Sequence, residues 1–174
     1  SCIRTFPHSD VGGLVIEDNT IYAMGASAGG GIYIAPFDGG GKITIYENEF
    51  YGSFTMAVTL ESCNVRVSCN IIDSNLSKGT YGILFTDTTG GHTYVNVSIV
   101  SNDVRNFTYG IKLGTDTATG SSLTAVVGAN TITMNDIGIL VGYGFTNGIH
   151  KNNIFNNVNY GLQNIGSDLV NATL

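Results

Sequence analysis

The sequence predicts an all-β solenoid, a parallel β-helix of about six coils with three short strands per coil. Three observations carry that prediction. One Asn recurs along the chain with constant apolar flanks, a short strand opening on a small residue follows each copy, and no stretch long enough for a helix has a convincing amphipathic period.

The recurring residues are Asn19, Asn48, Asn70, Asn102, Asn130 and Asn152. Three residues before them stand Ile16, Ile45, Val67, Ile99, Val127 and Ile149, and five before stand Leu14, Ile43, Val65, Val97, Ala125 and, out of pattern, Asn147. That alternation is the period of a strand with one side in a core. Two residues after each Asn comes Ile21, Phe50, Ile72, Val104, Ile132 or Ile154, which opens a second strand. Between the two strands the Asn is expected to take the left-handed backbone of a sharp bend, to bond nearby main chain and, in stacked copies, to bond along the axis. A lone Asn is a common turn residue; six in one register require a stack.

The third strand lies further on: Gly31-Ile32-Tyr33-Ile34, Ala57-Val58-Thr59-Leu60, Gly82-Ile83-Leu84-Phe85, Gly110-Ile111-Lys112-Leu113, Gly138-Ile139-Leu140-Val141 and Gly161-Leu162-Gln163-Asn164. The steps between successive Asn markers are 29, 22, 32, 28 and 22 residues, too uneven for helical repeats but natural for coils whose turns differ in length.

Composition agrees. The 174 residues suit one domain spanning 1–174, and with charged residues at 11% the surface must be covered by Asn, Ser, Thr and Tyr. A net charge of −6, with seven scattered Lys and Arg, excludes nucleic acid and anionic membrane surfaces as partners. No apolar run approaches the ~18 residues needed to cross a bilayer. The opening Ser1-Cys2-Ile3-Arg4 has no signal pattern, so a secreted protein would be represented by its mature or excised form. Sequons at Asn75, Asn96, Asn106 and Asn171 fit an extracellular or cell-surface location, although a chain so rich in Asn, Ser and Thr generates such matches by chance. Of the cysteines Cys2, Cys63 and Cys69, at most two can pair within the chain; buried, unreactive thiols are the favoured reading over a Cys63–Cys69 bridge.

With these motifs the chain resembles the parallel β-helix repeat of pectate-lyase-like and periplasmic NosD-like proteins, from about Leu14 to Asn164. The resemblance implies right-handed winding, in agreement with the general preference of parallel crossovers. It implies that the Gly-Ile strand is the first of each coil, the strand before the Asn the second, and the one after it the third. It implies little about chemistry, which is grafted onto folds.

Pectate-lyase-like enzymes bind polysaccharide on the outer face of the first strands and their following turns. The outward residues there read Tyr33, Thr59, Leu84, Lys112, Leu140 and Gln163, a row without a carboxylate. Paired carboxylates for hydrolysis, or a base with a cation for β-elimination, are missing from it. His8 in Pro7-His8-Ser9-Asp10 matches no family motif closely, and His92 and His150 read as surface residues. The turns beyond carry Asp38, Asp87 and Asp116 beside Gly. Aligned, they could share Ca²⁺ through oxygen ligands; equally, Asp before Gly is what a tight turn requires. An enzymatic alternative, a polysaccharide lyase, epimerase or glycoside hydrolase, would draw on Glu61, Asp87, Lys112 and Asp116. Tyr33 and Tyr143 are the candidate sugar-stacking rings.

No cap is evident for either end of the solenoid, so the expectation is self-association end to end or laterally, or continuation into a longer β-helix. The leading functional expectation is a structural or recognition β-helix, a fibre, sheath, lattice or spike component in contact with carbohydrate, with no catalytic site and no cofactor. A metal-handling role like that of NosD relatives finds no Met, Cys or His cluster in the sequence.

Overall fold

Alternation along the chain becomes three parallel sheets wrapped around one apolar column. The computed structural model describes residues 2–5, 13–24, 29–35, 42–61, 63–86, 95–117, 123–146, 148–166 and 171–173. A representative coil runs from Gly79–Thr86 in the first sheet to Val95–Val100 in the second and Asp103–Arg105 in the third; the chain then returns to the first sheet as Phe107–Leu113, beside Gly79–Thr86. The first sheet has seven strands, from Ile3–Arg4 to Tyr160–Asn164, and the second has eight, the short Phe145–Thr146 lying off its main path. The third has six, from Thr20–Ala23 to Asn153–Phe155, each beginning directly after a marker Asn. The pairing is parallel throughout the three sheets, giving the right-handed β-helix that the repeat implies.

The columns align as the sequence repeat requires. Ile16, Ile45, Val67, Ile99, Val127 and Ile149 stack in the second sheet. Ile21, Phe50, Ile72, Val104, Ile132 and Ile154 stack in the third. Nearly all of these side chains are buried, with Phe50, Ile72, Ile99 and Val127 wholly removed from solvent. Each such burial stabilises the fold by about 1.5–3 kcal/mol. The out-of-pattern Asn147 lies outside the described residues.

The six Asn form a continuous hydrogen-bonded ladder between the second and third sheets. The backbone N–H of Asn48 donates to Asn70 Oδ1 at 2.9 Å, and its amide nitrogen lies 3.0 Å from the same oxygen. Asn70 repeats this on Asn102, Asn102 on Asn130, and Asn130 on Asn152. The amides of Asn48, Asn70, Asn102, Asn130 and Asn152 also reach a carbonyl of the preceding coil, as from Asn102 to Val67 O at 3.0 Å. The expected left-handed backbone is present but displaced by one residue. It falls on Asp18, Glu47, Cys69, Ser101, Ala129 and Lys151, each immediately before an Asn, with φ between 51° and 57°. The turn thereby aims each Asn side chain along the stack. Left-handed geometry costs an L-residue about 1–2 kcal/mol, which the ladder's buried bonds offset.

The small residue opening each first-sheet strand has a steric cause. A Cβ on Gly110 would stand 2.7 Å from Gly138 O, 2.9 Å from Asn135 Nδ2 and 3.0 Å from Ile132 Cγ2. The return from third sheet to first is therefore too tight for most side chains.

Three free thiols are present, and only Cys63 is buried. Burial, and next the Glu61 charge, push its thiol well above the ordinary range. Cys2 and Cys69 are exposed, which corrects the expectation of buried thiols at all three positions. Cys69 is outside because it is the left-handed residue of its bend, on the rim rather than in the column. Among the described residues no helix is long and apolar enough to cross a membrane.

Candidate functional site

The outward row of the first sheet is in the predicted register, with Tyr33, Thr59, Leu84, Lys112, Leu140 and Gln163 on successive strands, and Arg4 extends it beside Tyr33. It is not an open strip. Thr59, Lys112 and Leu140 are buried although they face away from the core.

Two polar clusters interrupt the row. In the first, Tyr33 Oη donates to Glu61 Oε2 at 2.6 Å, and the Arg4 guanidinium lies 5.0 Å from the Tyr33 ring centre. Burial, followed by the hydrogen bond to Glu61 and its negative charge, raises the Tyr33 phenol to about 12, so it remains a proton donor through the physiological range. In the second, the rings of Tyr81 and Tyr109 stack with centres 5.3 Å apart and planes 17° apart. The Lys112 ammonium sits 5.2 Å from one ring centre and 5.9 Å from the other, and its Nζ is 2.8 Å from the Asp116 carboxylate. Its side chain is only 7% exposed, because the stem lies between Leu84 and Leu140 on neighbouring strands while the charge is held by two ring faces and one carboxylate.

Of the residues predicted for an enzymatic site, Glu61 and Asp116 are thus held in separate clusters, and Asp87 lies outside the described residues. Asp38, His8 and His92 also lie outside them. Among the described residues no group of three or more His, Cys, Asp or Glu is placed to hold a metal ion. Tyr143 does not join Tyr33. It belongs to a turn, where its backbone exchanges hydrogen bonds with Thr115 at 2.8 and 3.2 Å. His150 is exposed at the end of Gly148–His150. Of the sequons, Asn75 and Asn96 are exposed, whereas the Asn106 amide is held by Asp73 at 2.6 Å. Asn171 opens the strand Asn171–Thr173, which pairs with Gly148–His150.

A third polar cluster was not legible from the repeat. On the outer face of the third sheet Arg105 Nε meets Asp73 Oδ2 at 3.0 Å, and Asp103 Oδ2 lies 3.7 Å from Arg105 Nη1. The pair follows no six-fold pattern, so only the register of neighbouring coils, Asp73 beside Arg105, could have revealed it.

A family model described as periplasmic copper-binding protein (NosD) matches residues 8–169. No curated protein and no solved structure matches the chain. The match runs over nearly all the coils, the same three-strand repeat is what the coordinates show, and the chain belongs to the NosD family of parallel β-helix proteins.

Proposed function

We propose that this chain is a non-catalytic β-helix acting outside the cytoplasm as a recognition or assembly module. The family's periplasmic description supports the compartment. The observation that carries this reading is the pairing on the first-sheet face: Tyr33 holds Glu61 and Lys112 holds Asp116, so both of these described carboxylates are engaged by their own neighbours. Acid–base cleavage of a polysaccharide needs carboxylates that meet the substrate instead. Incubation with acidic and neutral polysaccharides is expected to give neither new reducing ends nor unsaturated products. Turnover that disappears in Asp87→Ala or Asp116→Ala would overturn the reading.

Copper, named in the family description, does not fit the donors that the described residues place. Thiolate, thioether and imidazole are the ligands copper selects. The exposed candidates among the described residues are Cys2, Cys69, Met24, Met134 and His150. Ser68, next to Cys69, is three strand steps from His150 along its column, about 14 Å at ~4.8 Å per step. Met24 and Met134 follow the first and the fifth of the six described third-sheet strands, at bends on a different edge from Cys69 and His150.

Assembly is a second reading, favoured by apolar side chains exposed on the outermost coils. Tyr22 and Met24 are 61% and 82% exposed on one side, Val158 and Tyr160 70% and 52% on the other. A head-to-tail contact through such surfaces does not close and would propagate. Electron microscopy of the purified chain is expected to show filaments or sheets; uniform single particles at high concentration would remove this reading.

A further inference from the structure

We propose that the outer face of the second sheet carries a binding groove for a hydroxyl-rich ligand bearing a carboxylate. The groove has a volume of about 420 Å³, within the range of small-ligand sites. Its floor is a column of polar side chains, one per coil. The strand register sets Asn96 beside Thr124, while the Asn96 backbone N–H donates to Asn64 Oδ1 at 2.9 Å. Lys42 precedes Ile43 as Asn64 precedes Val65, the two being partners, so the column reads Lys42, Asn64, Asn96, Thr124. Three steps of ~4.8 Å make it about 14 Å long, which suits an extended ligand rather than a single ion. Ser98 and Val126 line the adjoining column.

The chemistry of the lining selects the ligand. The Asn64 oxygen is already taken, so that residue offers its amide hydrogens; Asn96, Ser98 and Thr124 each donate and accept. Such a set matches vicinal hydroxyls. Lys42 is the groove's charge, and it is exposed. Lys78, Arg105 and Lys112 are each neutralised by an Asp, whereas among the described residues Lys42 has no ion-pair partner; exposed Arg66, beside Ser98 in the adjoining column, has none either but stands outside the described lining. Among the described residues the lining contains no carboxylate. In a chain of net charge −6, an unneutralised ammonium at one end of a donor-rich groove is placed to take an anion.

This site rests on the recognition reading above and adds a location and a ligand class to it. The test is calorimetry on the full chain with a uronic-acid trisaccharide and a neutral glucose trisaccharide of equal length. The acidic ligand is expected to bind at least tenfold more tightly than the neutral one. Lys42→Gln should abolish that preference, and Asn96→Ala should weaken both ligands several-fold, with unfolding midpoints unchanged in either variant. Equal affinity for the two ligands, or an acidic preference that survives Lys42→Gln, would overturn the anion assignment. Absence of binding by both would overturn the groove. Chromatography of the same mixtures separates the two claims, since cleavage products would defeat the non-catalytic reading while leaving the groove in place.

Discussion

The two bends that close each coil solve one problem with different materials. Both place a left-handed residue just before the turn: Ser101 and Ala129 lead into the bend between second and third sheets, Asn106 and Met134 into the bend between third and first. After that they diverge. The first bend carries Asn in all six coils, whereas the second buries Phe54 and Phe107 in earlier coils and changes to Asn135 and Asn157 in later ones. The change-over is joined, because the Phe107 backbone N–H donates to Asn135 Oδ1 at 3.0 Å and Asn135 then repeats the ladder on Asn157. A bend can thus be filled by apolar volume or by a polar stack. Only an unbroken stack makes each coil's bonds depend on the next.

The sharpest way to break the comparison is Asn102→Leu at the middle of the long ladder. It removes the acceptor of Asn70 and the donor to Val67 O, all in buried surroundings. The expected loss is about 4 kcal/mol, from several unsatisfied groups at ~1–3 kcal/mol each. Asn157→Ala in the short ladder removes the same kinds of bond from a partly exposed residue, where water replaces them; about 1 kcal/mol is expected. Urea unfolding midpoints compare the two, and equal losses would show that continuity of the stack carries no stability.

Glycines test the tightness of the second bend between those extremes. Gly110→Ala must displace backbone, with Gly138 O only 2.7 Å from the new Cβ, and should cost about 2–3 kcal/mol, as overpacking does. Among the described residues Gly148→Ala meets nothing nearer than His150 Cδ2 at 3.6 Å and should change stability by less than about 0.5 kcal/mol. Similar midpoints for the two would mean that the return strand has room to spare.

What was legible in the sequence follows from the same contrast. The long ladder has six copies with identical flanks, so every core column could be read in register, from Ile16 to Ile149 and from Ile21 to Ile154. The short ladder has two Asn, too few to stand out among the many Asn of this chain. The left-handed residues were hidden for a different reason. Asp18, Glu47, Cys69, Ser101, Ala129 and Lys151 share no side-chain chemistry, since the constraint falls on their backbone and is met by what the following Asn gains. Lys112 was correctly placed outward, but its burial depends on the Tyr81–Tyr109 stack, formed by residues three positions earlier on two adjacent strands. The groove on the second sheet combines Lys42, Asn64, Asn96 and Thr124, whose spacings of 22, 32 and 28 residues equal the Asn steps. The side chain along that column changes from Lys to Asn to Thr, so no repeated residue marks it in the sequence.

The smallest effect separates the Tyr33–Glu61 cluster from the Tyr81–Tyr109–Lys112 cluster on the first-sheet face. Folding raises the Tyr33 phenol from 10.0 to about 12, through burial first and the Glu61 hydrogen bond and charge next. Between those pH values the folded chain keeps a proton that the unfolded chain releases, so the stability gained is complete below about pH 10 and is lost as the pH rises through 12. Tyr33→Phe keeps most of the ring burial without a titrating group. The Tm of the wild type is therefore expected to fall faster than that of Tyr33→Phe as the pH climbs from about 9 to 12, and parallel curves would show that Glu61 exerts no hold on the phenol proton. Tyr81 and Tyr109 instead engage the Lys112 ammonium through their ring faces.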